Sequence, residues 1–399
     1  MTGANTFSVS GYGPERSSLS RMLARDSLAR RLDWPILLSA LALSFMGAIL
    51  VYSATRNRTE INQGDQYYFL IRHLMNTGIG FCLMMGTVWL GHRTLRTAVP
   101  ILYGLSVFLI LMVLTPLGAT VNGAHAWIVF GGGFSLQPSE FVKITIILGM
   151  AMLLAARVDA GDKLYPDHRT VLQALGLAAV PMMIVMLMPD LGSVMVMVII
   201  VLGVLLASGA SNRWIFGLLG TGALGAVLIW QLGVLDEYQI NRFAAFANPE
   251  LDPSGVGYNT NQARIAIGSG GLTGTGLFHG SQTTGQFVPE QQTDFVFTVA
   301  GEELGFVGAG LIIVLLGVVL WRACRIARET TELYGTIVAA GIIAWFAFQA
   351  FENIGMTLGI MPVAGLPLPF VSYGGSSMFA VWVAVGLLQS IRVQRPMSA

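Results

Sequence analysis

The chain has 399 residues, of which 54% are hydrophobic and only 11% are charged, and its formal net charge is +1. A soluble globular domain carries about 25% charged residues, so the composition excludes a water-soluble fold and favours the lipid bilayer as solvent. The balanced charge, without any Lys- or Arg-rich run, argues against nucleic acid as a partner. The two cysteines, Cys82 and Cys324, lie far apart in apolar runs, which favours neither a disulfide framework nor a cysteine metal site.

Long apolar windows recur along the chain between charged clusters. A helix needs about 20 apolar residues to cross the hydrocarbon of a bilayer, and ten windows approach that length. The sequence therefore predicts an all-α integral membrane protein with about ten transmembrane helices. The predicted spans are Pro35–Ala54, Asn76–Leu90, Thr97–Leu114, Phe141–Ala156, Leu172–Met188, Ser193–Ser208, Trp214–Leu232, Phe306–Cys324, Tyr334–Phe351 and Ser376–Ile391.

The distribution of Lys and Arg predicts the orientation, because these residues concentrate on the cytoplasmic side of a membrane. Sixteen of them fall in the two tails and the even-numbered connections, whereas five fall on the other side and Lys143 lies within a span. Both termini are therefore predicted to be cytoplasmic. The expected organisation is a tail (1–34), a single membrane domain (35–391) with a large outer loop between helices 7 and 8 (233–305), and a second tail (392–399).

Three outer connections are poor in Lys and Arg and rich in Gly, Pro, Gln, Ser and Thr, namely 115–140, 233–305 and 352–375. Apolar residues interleaved in the longest one favour an ordered loop that packs onto the helices. Its glycine-rich stretch, 268–280, lacks the spacing of a nucleotide-binding loop and predicts tight turns and close backbone approach. Backbone N–H groups freed by such turns could also hold a phosphate. The five histidines never fall at metal-ligand spacing.

Glu140 and Lys143 open the fourth span, and the i, i+3 spacing places both charges on one helix face. One interpretation is a mutually neutralised structural ion pair, since a buried pair is not itself evidence of activity. The other is a cation near the outer leaflet that receives a lipid phosphate, because ionisable residues inside a membrane are costly and commonly functional.

Two aspartates lie where outer connections meet spans. Asp190 could cap the helix that follows it, or its carboxylate could face a cavity. Thr293 or Asp294 could likewise cap the eighth span. Alternatively, Asp294 is a general base, because apolar neighbours destabilise the charged form of a carboxylate and make it a stronger base.

The long outer loop also contains Arg242, Gln262 and Arg264. Arginine suits bidentate phosphate contacts, but it also anchors loops to lipid headgroups, and both interpretations stay open. The ninth connection, 353–377, has no charged residue and three closely spaced prolines, Pro362, Pro367 and Pro369. Irregular backbone at membrane depth persists only where protein buries it or water fills a cavity, so this connection is expected to form the wall of a cleft.

Five motifs, in this order along the chain, resemble the SEDS family of bacterial cell-wall proteins, and the resemblance covers nearly the whole chain. The motifs are Pro138-Ser-Glu-Phe-Val-Lys143, Pro189-Asp-Leu-Gly192, Gly285-Gln-Phe-Val-Pro-Glu-Gln-Gln-Thr-Asp294-Phe-Val-Phe297, Gly301-Glu-Glu-Leu-Gly305 and Pro367-Leu-Pro-Phe-Val-Ser-Tyr-Gly-Gly-Ser-Ser377.

The resemblance implies a multi-pass peptidoglycan glycosyltransferase of the cytoplasmic membrane that polymerises lipid II (undecaprenyl-pyrophosphate disaccharide-pentapeptide). The branch that builds wall during elongation is the most similar, with the division branch as the alternative and the sporulation branch as a third. The family's essential aspartate falls on Asp294, predicted to be catalytic. The predicted substrate-binding residues are Glu140, Lys143, Asp190, Arg242, Gln262 and Ser376. The chain departs from many members at Gln292, where a His is frequent.

The implied partners are lipid II, membrane lipid and a transpeptidase of the class B penicillin-binding type. A divalent cation such as Mg²⁺ or Mn²⁺ could neutralise the pyrophosphate leaving group, although no motif in the sequence identifies one. A lipid II flippase is the competing class and would be expected to line a path to the cytoplasmic side with charges. A scaffold that only docks a partner is the third class.

Overall fold

The computed structural model describes residues 28–58, 64–121, 124–130, 134–162, 164–188, 190–233 and 255–394. Within these ranges the chain forms fourteen helices and three strands. The helices are α1 (Leu28–Arg31), α2 (Trp34–Thr55), α3 (Tyr68–Leu90), α4 (His92–Val113), α5 (Pro138–Asp159), α6 (His168–Met186), α7 (Leu191–Ala207), α8 (Asn212–Gln231), α9 (Val256–Ser269), α10 (Ser281–Thr284), α11 (Val296–Glu303), α12 (Gly305–Glu329), α13 (Leu333–Leu358) and α14 (Gly375–Val393).

Ten of these helices are long, α2 to α8 and α12 to α14, and each overlaps one predicted span. Seven are long and apolar enough to cross a membrane, and α7 is a shorter apolar helix. The prediction of an all-α integral membrane protein is therefore confirmed. The sidedness of the chain stays a prediction.

Helix α3 begins at Tyr68, well before the predicted Asn76. The polar side chains of its first turns contact neighbouring groups and therefore do not end the helix. Arg72 stacks on the Tyr68 ring at 4.3 Å. The His73 ring nitrogen Nε2 lies 3.3 Å from the Ser44 carbonyl oxygen. A window defined by hydropathy alone misses such a start.

The connection between α4 and α5 contains a small antiparallel sheet that the sequence analysis did not predict. Its strands, β1 (Gly118–Val121), β2 (Ala124–Phe130) and β3 (Phe134–Leu136), pair in the order β1-β2-β3. Ala126 and Ile128 are buried on β2, as expected for alternate residues that share one face of a strand. The sheet leads directly into α5.

Small residues allow the long helices to approach closely, as is common in membrane proteins. A Cβ atom added at Gly80 of α3 would lie 2.7 Å from the Trp382 ring of α14, and one at Gly386 would lie 2.8 Å from the Met84 carbonyl oxygen. Helix α13 packs against α5, α7 and α12. It therefore lies in the interior and can connect charged groups carried by other helices.

Charged residues tie one end of the bundle together. Arg322 donates from Nε to Oδ1 of Asp33 at 3.0 Å and from Nη2 to Oδ2 at 2.6 Å, and Arg392 also pairs with Asp33. Arg96 pairs with Asp159 at 3.0 Å. These helix ends are the ones that the Lys and Arg distribution assigns to a common side, and they do lie at one end of the protein.

The described part of the long connection between α8 and α12, 255–304, packs against α2 and α13, as expected for an ordered loop. A Cβ atom added at Gly270 would lie 2.0 Å from the Gly301 carbonyl oxygen, and one at Gly274 would lie 2.0 Å from that of Glu303. The prediction of close backbone approach in the glycine-rich stretch is therefore confirmed.

Candidate active site

Asp294 lies in the turn that precedes α11. Its backbone N–H donates to the Glu290 carbonyl oxygen at 3.1 Å, and its side chain is half-buried. The cap position of α11 is Phe295, without a side-chain hydrogen bond, and α12 follows Leu304 in the same way. Neither Thr293 nor Asp294 is therefore a helix cap, and the capping interpretation of these residues is wrong.

Residues 364–367, called here the wall segment, form the surface next to Asp294. Gly365 has a φ of 71°, and a Cβ atom added there would lie 3.5 Å from Oδ2 of Asp294. A Cβ atom added at Gly192, near the start of α7, would lie 2.6 Å from the Ala364 carbonyl oxygen. The wall segment thus lies beside the Asp294 carboxylate and packs closely against α7, the helix that follows Asp190.

Asp190 caps α7, as one of the sequence interpretations predicted. Its Oδ1 accepts a hydrogen bond from the Ser193 backbone N–H at 3.0 Å. Its other oxygen, Oδ2, accepts from Nε2 of Gln137 at 3.2 Å. The carboxylate therefore joins α7 to the residue that precedes α5.

Ser376 contacts the backbone of Gln137, whose side chain contacts Asp190. The Gln137 backbone N–H donates to Oγ of Ser376 at 2.8 Å, and that hydroxyl lies 3.4 Å from the Ser135 carbonyl oxygen. Ser376 is 2% exposed. Gln137 therefore connects two residues that the sequence singled out, Asp190 and Ser376, although the sequence analysis assigned it no role.

Glu140 and Lys143 form a buried ion pair. Nζ of Lys143 lies 2.7 Å from Oε1 of Glu140, and their side chains are 0% and 2% exposed. The ammonium also donates to Oε1 of Gln349 at 3.2 Å and lies 4.7 Å from the Trp345 ring centroid. Lys143 is closed off from solvent here and contacts protein groups. Its role in substrate binding stays a prediction.

Gln349 and Asn353 of α13 are site residues to which the sequence analysis gave no role of their own. Asn353 was expected to begin the irregular ninth connection, but α13 continues through it to Leu358. Nε2 of Gln349 donates to the Pro367 carbonyl oxygen at 2.7 Å, and Nδ2 of Asn353 donates to the carbonyl oxygens of Leu366 at 2.7 Å and Asp294 at 2.8 Å. The available signal was two amides at i, i+4 in a largely apolar span, a spacing that places both on one helix face.

Helix α9 carries Gln262 and Arg264 next to this region. Ala263 between them packs with Val288 and Phe295, and Phe295 follows Asp294 directly. Gln262 is half-buried and Arg264 is exposed. Arg242 lies outside the described residues.

Arg58 is a cation near the Asp294 turn that the sequence analysis did not select. Its Nη2 donates to the Val288 carbonyl oxygen at 3.0 Å, and Nη1 lies 3.5 Å from Oε1 of Gln292. Burial lowers the pKa of the Arg58 guanidinium, and the Glu290 carboxylate opposes that shift. Gln292 also donates to Oε2 of Glu290 at 3.3 Å. This glutamine therefore belongs to a charged group beside the Asp294 turn.

Within the described ranges, no group of three or more His, Cys, Asp and Glu side chains could hold a metal ion. Two acidic residues of the site, Glu140 and Asp190, instead contact protein donors. Asp190, for example, accepts from Gln137 and from the start of α7.

Comparisons with known proteins support the resemblance. The model of the FtsW/RodA/SpoVE family, described as "Cell cycle protein", matches residues 33–396. Stage V sporulation protein E of Bacillus subtilis is 38% identical over 363 residues, which cover 90% of this chain and 96% of that protein. The probable peptidoglycan glycosyltransferase FtsW of Trichlorobacter lovleyi is 36% identical over 368 residues, which cover 90% of this chain and 92% of that protein.

A solved structure described as "Structural coordination of polymerization and crosslinking by a peptidoglycan synthase complex" has the same fold. It matches with a TM-score of 0.73 and 29% identity, over 92% of this chain and 99% of that one. The fold likeness therefore extends over almost the whole described chain.

Proposed function

The chain belongs to the FtsW/RodA/SpoVE family and is a multi-pass peptidoglycan glycosyltransferase of the cytoplasmic membrane, and we propose that it polymerises lipid II at the outer face. The product is a β-1,4-linked glycan strand. The observation that carries this proposal is the placement of Asp294, which is half-buried beside the wall segment. It lies at the end of the bundle opposite the ion pairs of Asp33 with Arg322 and Arg392.

Asp294 is the general base in this proposal. Its carboxylate takes the proton from the 4-hydroxyl of the acceptor N-acetylglucosamine as that oxygen forms a bond to the donor's anomeric carbon. The bond from this carbon to the pyrophosphate oxygen breaks, and undecaprenyl pyrophosphate leaves with the electron pair. A single displacement converts the α-linked donor into a β-linked product, so the reaction inverts configuration.

A single carboxylate suffices because pyrophosphate leaves as a stable anion without a protonating acid. This differs from glycoside hydrolysis, which uses a pair of carboxyl groups, one as acid and the other as base or nucleophile. Asp190 fits a binding role better than a second acid, because both of its oxygens already accept hydrogen bonds.

Cations at this end of the protein favour an anionic lipid substrate. Arg264 is exposed on α9, and Arg242 belongs to the same outer connection, outside the described residues. Arginine binds phosphate through a planar fork of donors. We propose Arg242 and Gln262 as substrate contacts, with Glu140, Lys143, Asp190 and Ser376 binding substrate or supporting the surface that binds it.

The partner is proposed to be a transpeptidase of the class B penicillin-binding type, which crosslinks the strands as they form. The similar solved structure is named for a peptidoglycan synthase complex that coordinates polymerisation and crosslinking, and this supports the proposal. The elongation role is supported by the motif resemblance, whereas the relatives reported above are named as a peptidoglycan glycosyltransferase FtsW and a sporulation protein. Depleting the protein in its host distinguishes the branches, since loss of elongation gives round cells and loss of division gives filaments.

The test uses the full-length protein, alone and with the transpeptidase, given fluorescent lipid II. We expect glycan polymer from the wild type and none from Asp294→Asn or Asp294→Ala. Asp162→Asn is the matched control, because Asp162 is exposed in the connection after α5. Polymer from all the variants would remove Asp294 as the base. A wild type that moves lipid II across vesicles without polymerising it would favour the flippase.

A further inference from the structure

Helix α13 presents two buried amides, Gln349 and Asn353, to consecutive carbonyl groups of the wall segment. Both residues are 0% exposed. Gln349 holds the Pro367 carbonyl oxygen and Asn353 holds that of Leu366, each at 2.7 Å. We propose that these residues, the amide pair, are positioning residues that fix the Asp294 carboxylate. The inference rests on the proposed function and adds two residues to it.

Asn353 acts as a bracket between the wall segment and the Asp294 turn. An amide NH2 group has two hydrogens, and here one is directed to Leu366 and the other to the Asp294 carbonyl oxygen at 2.8 Å. Both N–H donors of this one NH2 group are used, so a substitution that removes the group removes both contacts. The distance between the Asp294 backbone and the wall segment is therefore set by one side chain.

Gln349 is oriented by its own oxygen. Oε1 accepts hydrogen bonds from Nζ of Lys143 at 3.2 Å and from Nε1 of Trp345 at 2.7 Å. Because that oxygen faces two donors, the NH2 group must face the Pro367 carbonyl. The buried Glu140–Lys143 pair thereby orients the Gln349 amide, which in turn binds the wall segment. The pair is therefore linked to Asp294 through this chain of contacts.

The wall segment can transmit a displacement because it is short and constrained. Pro367 has a fixed φ, and Gly365, with its positive φ, lies against the Asp294 carboxylate. A general base works only within hydrogen-bond reach of its proton, and a misplacement of about 1 Å can cost about 100-fold in rate. Loss of the amide pair is therefore expected to lower the rate of the chemical step more than substrate affinity.

The alternative is that these amides only stabilise the fold. Thr357 supplies a matched control, since it lies one turn beyond Asn353, is 0% exposed, and donates to the Ile354 carbonyl oxygen of its own helix at 2.8 Å. Thr357→Val removes a buried hydrogen bond from α13 and leaves the contacts of the wall segment intact. It therefore reports the structural effect alone.

The experiment compares Asn353→Leu, Gln349→Met, the double variant and Thr357→Val in lipid II polymerisation, with thermal unfolding of each purified protein. We expect kcat to fall at least about tenfold in Asn353→Leu while KM stays within about twofold. Thr357→Val should change neither. Because the two amides hold one segment, the loss in the double variant should be smaller than the product of the single losses.

Hydrogen exchange gives a readout that does not depend on activity. The amide N–H groups of Asp294 and Phe295 donate to the Glu290 carbonyl oxygen at 3.1 and 3.2 Å, so release of the turn should speed their exchange in Asn353→Leu but not in Thr357→Val. Where Asn353→Leu does not fold, Gln349→Met is measured in the same way.

Two outcomes would overturn the inference while the proposed function stands. One is a wild-type kcat in folded Asn353→Leu with unchanged exchange at Asp294, and the other is an equal fall of kcat in Asn353→Leu and Thr357→Val. The proposed function fails differently, through an inactive wild type or an active Asp294→Asn, and either result also removes the positioning role.

Discussion

Lys143 and Glu140 form an ion pair that is fully enclosed by protein, with Nζ 2.7 Å from Oε1 and side chains that are 0% and 2% exposed. A buried pair of this kind gains little over apolar replacements, but removing one partner leaves an uncompensated charge. Removing one charge should therefore destabilise the protein more than removing both.

We expect Lys143→Met to lower the free energy of unfolding by about 3–5 kcal/mol, and Glu140→Leu/Lys143→Met to lose less, because no isolated charge then stays buried. Unfolding in detergent measures both. Arg325 and Glu329 form a surface pair at 2.7 Å with 54% and 37% exposure, and Arg325→Met should cost less than about 1 kcal/mol. A double variant as unstable as Lys143→Met would contradict the explanation by charge burial.

Asp190 allows the cap to be separated from the charge. Asn is as good a helix cap as Asp, whereas Ala costs about 1 kcal/mol, so Asp190→Asn should keep the stability that Asp190→Ala loses. If the carboxylate binds substrate, Asp190→Asn still polymerises at least about tenfold more slowly, since a charge-assisted hydrogen bond contributes about 1.5–3 kcal/mol. Thermal unfolding and initial polymerisation rates decide this. Wild-type rates in Asp190→Asn would leave Asp190 as a cap only.

Glu303 gives the stability a pH dependence. Burial raises the pKa of its carboxyl, and the neighbouring Glu302 raises it further, against hydrogen bonds from Ser53 and from the backbone of Phe278 and Gly280. The folded state therefore binds more protons than the unfolded state between the two pKa values. Stability falls as the pH rises from about 4.3, the ordinary glutamate pKa, through the raised folded value.

Glu303→Gln removes this titration and retains an oxygen for the Ser53 hydroxyl. We expect the Tm of this variant, relative to wild type, to increase as the pH rises through that window. Asp162→Asn, at an exposed site in the connection after α5, is the control and should show no such trend. A Tm difference for Glu303→Gln that is independent of pH would refute the burial of an ionising group.

The glycine-rich stretch offers a steric test. Gly270 has a φ of −73° that any residue adopts, yet an added Cβ atom would lie 2.0 Å from the Gly301 carbonyl oxygen. Gly270→Ala should therefore destabilise the protein by about 1–3 kcal/mol through overpacking. Gly268→Ala has nothing within 4 Å and should gain about 0.5–1 kcal/mol from its helical position. Equal effects of Gly270→Ala and Gly268→Ala on Tm would show that the backbone segments at Gly270 and Gly301 do not pack as described.

The sequence predicted the features that depend on residues close together in the chain. Each apolar span is favourable in hydrocarbon by its own composition, so the ten long helices could be located without tertiary information. The cap at Asp190 and the tight turns of the glycine-rich stretch follow from short-range properties of these residue types, whereas the contact of Gly270 with Gly301 depends on the tertiary structure. The motif around Asp294 was found in the same way, because its residues are contiguous.

The tertiary structure decided which polar groups meet. Asn353 and Asp294 are 59 residues apart, and Lys143 and Gln349 are 206 apart, so no local pattern joins them. Lipid is as apolar as the helix faces, and helices therefore associate through close packing and a few interhelical hydrogen bonds. The burial of Lys143 and the placement of Gln349 and Asn353 beside the wall segment depend on that packing, which composition and spacing do not determine.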